Sequence, residues 1–158
     1  MRQICCGRGV SADMPPHAGD ASSCKAVPDA GFVAADVPGR VAMLLETAEA
    51  AIAGWLRANG ENPTDANIEG FRLLALHRQG ARLDPRLNAC RESCRELIYQ
   101  CNMARACPAE AARRLRMAGM VRDHLLLFVA GKLENPALGA FCCAARPLRN
   151  ADTNKGEQ

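Results

Sequence analysis

The chain has 158 residues, 49% of them hydrophobic but only 4% aromatic, and a formal net charge of +3. That length suits one domain with tails, and its core must be built from Leu, Ala, Met, Val and Cys rather than from rings. Seventeen arginines stand against three lysines. This bias is what a GC-rich bacterial genome produces, and most of the arginines alternate with Glu or apolar positions, which argues against a nucleic-acid partner. The longest strongly apolar run, residues 125–130, is too short to span a bilayer. Residues 1–7 lack the apolar centre of a secretion signal. The expected setting is the bacterial cytoplasm, with no membrane partner. Nine cysteines are an odd number, and in a reducing compartment a full set of structural disulfides is not expected.

Residues 1–36 read as a disordered N-terminal tail of turn and breaker residues, without periodicity. A first helix is expected over 38–58, with Asp36 as a cap and Pro38 in the first turn. Val41, Leu44, Leu45, Ala48, Ile52, Trp55 and Leu56 share one face of it. Asn59-Gly60 supplies a left-handed stop. A second helix is expected over 65–79, with Thr64 as N-cap, an inner stripe of Ile68, Phe71, Leu74 and Ala75, and Gly80 closing it. Asp84-Pro85 opens a third, to about 104, and Pro108 a fourth, to about 133. The fourth is apolar nearly all round at 125–129, so its deepest burial is expected there. Short links favour antiparallel neighbours. The expected fold is therefore all-α: an antiparallel up-down bundle of about four helices over 37–133. Residues 134–158 form a C-terminal extension whose apolar piece, 137–145, caps one end, followed by a polar tail.

The unusual feature is a line of cysteines. At about 100° per residue, Cys90, Cys94 and Cys101 fall together with Leu87 and Leu97 on the inner face of the third helix. A free cysteine behaves as a small, soft hydrophobe, so close packing against Ala118 and Gly119 accounts for the line. Metal binding is the alternative. Thiolates four residues apart are too distant for a disulfide within an intact helix, yet they converge on one ion. Counting back through the hairpin brings His124 level with Cys90, and Cys142 or Cys143 is within reach of the same end. Zinc, copper or an iron–sulfur centre would suit Cys90, Cys94, His124, Cys142 and Cys143. His77 is expected to face away from the inner stripe. A Cys-x-x-x-Cys unit on a helix is similar to those of mitochondrial twin-motif chaperones and bacterial copper-storage bundles. The second paired unit of the former and the dense cysteine lining of the latter are missing, so neither membership follows.

No phosphate-binding glycine loop, dinucleotide fingerprint or hydrolase motif is present, and no catalytic residue is assigned. Arg91, Glu92, Arg95 and Glu96 lie on the outer side of the third helix and are the expected partner-binding stripe. The sequence thus points first to a non-enzymatic helical accessory or regulatory protein that contacts another protein. A thiolate metal or redox bundle is the alternative.

Overall fold

A computed structural model describes residues 36–141. Among them are four α-helices and no strand: α1 (Val37–Ala58), α2 (Arg72–Leu83), α3 (Arg91–Ala106) and α4 (Ala111–Glu134). Among the described residues, no helix is long and apolar enough to cross a membrane. The expected N-terminal tail, Cys142, Cys143 and the polar C-terminus lie outside the described residues.

Helix α1 forms where expected and buries Val41, Leu44, Ala48, Ile52, Trp55 and Leu56 on one face. Asp36 makes no capping hydrogen bond with its side chain, contrary to expectation. Gly60, at φ +81°, turns the chain out of the helix, as Asn-Gly stops do.

Helix α2 departs from expectation. It starts at Arg72, and Gly80 lies inside it. Glu69 and Gly70 both take positive φ, at 53° and 82°, and Ile68 and Phe71 pair across them. This is the tight-turn geometry that glycine permits, and it interrupts any helix begun at 65. The Thr64 hydroxyl accepts from the Ala66 N–H, a local turn rather than a cap. Gln79 holds this loop from the helix side: its amide donates to the Asn62 carbonyl at 2.7 Å and accepts from the Thr64 N–H at 2.9 Å. The later start rotates the buried face to Leu73, Leu76, His77 and Gly80, spaced i, i+3, i+4 and i+7.

That shift changes the topology. Glu49 of α1 pairs with Arg72 at the start of α2, at 3.6 Å, and Trp55 packs over Gly80 further along. The contacts advance together, so α1 and α2 run in the same sense. The connection over 59–71 makes the return. A 12-residue helix is about 18 Å long, and such a loop extends to roughly 40 Å. From α2 onward the senses alternate. His77 meets the Leu87 carbonyl and Arg95 meets Glu69. Ser93 meets His124, and Gln100 meets Arg114. The expected up-down alternation therefore holds for α2, α3 and α4 but not for the first pair.

Asp84 caps the next turn as its position ahead of Pro85 predicts, accepting from the Arg86 N–H at 3.0 Å. The turn Pro85–Cys90 is a 3-10 helix that leads into α3. The sulfur line is core: Leu87, Cys90, Cys94, Leu97 and Cys101 are all buried, as is Ala118 on α4. Residues 125–129 are not buried all round, because Leu127 is exposed while Leu125 and Val129 are inside. Residues 135–141 turn back after α4. There Gly139, at φ +88°, sits so close to the Arg86 carbonyl that a Cβ would approach it to 2.6 Å. The described part of the C-terminal extension thus lies against the 3-10 turn.

Candidate functional site

Cys90 ends the 3-10 turn and stands at the N-cap of α3, where the helix dipole favours negative charge. The Cys94 thiol and the His77 ring are the groups that act on its sulfur. As a thiol it donates to the Leu87 carbonyl at 3.1 Å, which also lies 3.3 Å from His77 Nε2. The hydrogen bond from Cys94, against the opposing effect of burial and with help from His77, pulls the Cys90 thiol below the ordinary range, to about 6. The same contact, with burial, pushes Cys94 well up. One proton therefore leaves the pair readily and the second does not. Burial alone pushes Cys101 up, to about 11, against a smaller opposing pull from Arg105. All three are free thiols. Cys107, at the α3–α4 turn, is disulfide-bonded.

Of the expected metal ligands, the fold brings Cys90 and Cys94 together. His124 is not with them: it is exposed on α4 and its Nδ1 lies 3.3 Å from the Ser93 hydroxyl. The imidazole beside the sulfurs is that of His77, which the expected helix start had placed on the outer face. Among the described residues, no group of three or more His, Cys, Asp or Glu side chains is arranged to hold a metal ion. Cys142 and Cys143 fall outside those residues.

A titration separates the sulfurs. Thiolate absorbance is expected to rise first near pH 6, from Cys90. Cys94→Ala removes the strongest hydrogen bond to that thiolate, so this first rise is expected to move toward 9.0, the unperturbed value. A first rise that stays near 6 in the variant would show that Cys94 does not stabilise the Cys90 thiolate.

The second region is the groove between α3 and α4, a space of about 710 Å³. Glu92, Arg95, Glu96, Tyr99, Met120 and His124 are among the side chains that line it. Tyr99 is 50% exposed and Met120 73%. Three of the four residues of the expected stripe meet here. Arg91 does not, and faces α2 with Arg95, which borders both clefts. Glu96 also has a structural part. It accepts from buried Gln100 at 2.6 Å, and Gln100 accepts from Arg114, which is paired with Glu110. This chain ties α3 to α4. It also holds Arg114, which stands between Arg113 and Arg116 in the sequence, in an ion pair.

Sequence reasoning missed Tyr99 and Met120, and it turned His77 away from the inner stripe although the residue is buried. The first two sit where their helices are expected, so a helical wheel could have shown them as apolar side chains outside the buried stripe. His77 could be found only by placing the turn at Glu69-Gly70. Comparison of the chain with protein-family models, with characterised proteins and with solved structures finds no match.

Proposed function

We propose that this is a small non-enzymatic accessory or regulatory protein of the bacterial cytoplasm, one that works by holding a partner polypeptide in the α3–α4 groove. The observation that carries the reading is the pairing of exposed Tyr99 and Met120 inside a groove with a charged rim. Tyrosine offers a large contact area at low entropic cost and is enriched among residues that dominate binding energy. Methionine adapts its shape to a partner surface. Glu92, Arg95 and Glu96 at the rim set register and exclude wrong partners more than they add affinity. The chemistry suits an amphipathic helix that lays its apolar side on Tyr99 and Met120 and sets a basic residue against Glu92.

The test joins Tyr99→Ser and Met120→Ser in one variant and places Glu92→Lys in another. Glu96 is left unchanged because it holds Gln100. Both variants are expected to lose capture of the partner. Each of these exposed substitutions is expected to change folding stability by no more than about 0.5 kcal/mol. Undiminished capture by both would remove the reading.

A thiol redox or metal centre is the second reading, favoured by the neighbouring side chains of His77, Cys90 and Cys94, which lower the Cys90 thiol. Zinc, copper or iron bound stoichiometrically in the untagged protein, and lost in Cys94→Ala, would bring that reading forward.

A further inference from the structure

A second cleft lies between α2 and the start of α3, a space of about 570 Å³. Two arginine pairs border it: Arg78 and Arg82 on α2, and Arg91 and Arg95 on α3. Each pair is spaced i, i+4, so its members share a helix face, and like charges at that spacing destabilise a helix. All four guanidinium-bearing residues border the same cleft. Little carboxylate relieves the repulsion. Arg91 meets Glu92 at 3.6 Å, and Arg95 meets Glu69 at 4.0 Å, the limit of an ion pair. Arg78 and Arg82 make no ion pair among the described residues. His77 also lines the cleft, and the N-terminus of α3 opens beside it.

We propose that this cleft binds a small ligand carrying two adjacent phosphoryl groups, such as pyrophosphate or the diphosphate end of a nucleotide. Guanidinium groups present paired N–H donors that match phosphoryl oxygens two by two. Arginines on both walls of one cleft supply more paired donors than a single phosphoryl group accepts. A single carboxylate or monophosphate would leave half of the arginines unmatched. The cleft falls within the usual range for small-molecule sites. Apart from His77 no aromatic ring lines it, so recognition rests on the phosphoryl groups rather than on base stacking. The site is separate from the α3–α4 groove except at Arg95.

The proposal has a signature that a purely structural role for the arginines would lack. Removing one charge should relieve repulsion in the free protein while weakening the ligand. Pyrophosphate is titrated calorimetrically into the full chain, and melting is followed with and without it. Saturable binding is expected, weakening as salt rises. Arg82→Gln and Arg91→Gln are expected to weaken it roughly tenfold or more, the worth of one charge-assisted hydrogen bond. Arg82→Gln should also melt at or above the temperature of the parent without ligand. Arg113→Gln, on α4 and outside the cleft, should bind as the parent does. Adenosine diphosphate binding equally well would assign the diphosphate alone as the recognised group. Tighter binding would add the nucleoside to it. No saturable pyrophosphate binding, or equal losses in all three variants, would overturn the proposal.

Discussion

Asp84→Asn is expected to cost about 3–5 kcal/mol in denaturant unfolding at neutral pH, the usual penalty for removing one partner of a buried ion pair. Lys132 comes from the last turn of α4 and is only 1% exposed in its side chain, with its ammonium 2.6 Å from Asp84. Its other partner is the Pro136 carbonyl. Without the carboxylate, a full positive charge stays buried beside one carbonyl. Lys132→Met is expected to cost less, because Asp84 remains 14% exposed and paired with Arg86 at 2.8 Å. The double variant should recover much of the Asp84→Asn loss, since it removes the stranded charge. Burial opposes ionisation of Asp84, but the hydrogen bonds from Arg86 and Lys132 outweigh it and hold the carboxyl below its ordinary value of 3.8. A depressed acid of this kind contributes its full stability above the unfolded value and loses it as pH falls through the folded one. The parent should therefore lose stability below pH 3.8 more steeply than Asp84→Asn does. Equal stability of Asp84→Asn and parent at neutral pH would show that the pair does not anchor α4.

Gly80→Ala carries the second large effect, with a sign opposite to helix propensity. Alanine is favoured over glycine inside a helix by about 0.8–1.0 kcal/mol. At Gly80, however, the added Cβ would overlap Leu87 and come within 3.1 Å of the Trp55 ring. Both neighbours are buried, so neither has room to give way. Overpacking costs about 1–3 kcal/mol, and the net expectation is destabilisation. Gly54→Ala and Gly119→Ala are internal controls. Nothing lies within 4 Å of either added carbon, so both should gain stability by up to about 1 kcal/mol. A Gly80→Ala protein as stable as these two would mean that α1 does not approach α2 through this glycine.

The sequence and the structure agree where a single periodicity decides. The faces of α1 and α3 follow from apolar spacing, and the all-α class follows from composition. The disagreement starts at Glu69-Gly70. Ile68, Phe71, Leu74 and Ala75 match a helical stripe, and nothing local gives a non-glycine residue such as Glu69 away as left-handed. Starting α2 too early had three consequences. It shortened the link to α1 and made the pair look antiparallel. It put His77 on the outside, leaving His124 as the imidazole to set beside Cys90. It also read Gly80 as a stop instead of a contact point for Trp55 and Leu87. Lys132 was illegible for another reason: its partner Asp84 lies 48 positions away, and a lysine in the last turn of a helix is normally solvated. The partner stripe was read as one face. The helix in fact divides it, turning Glu92 and Glu96 toward α4 and Arg91 toward α2.

The groove reading is tested most directly by a photo-crosslinking side chain placed at Tyr99 in the full protein, expressed in its own cells. A second protein carries it at exposed Arg57 on α1, outside the groove. The Tyr99 position is expected to yield one discrete protein adduct, weakened by Glu92→Lys, and the Arg57 position none. The same adducts from both positions, or no adduct at Tyr99 while the protein is folded and abundant, would contradict a partner held between α3 and α4.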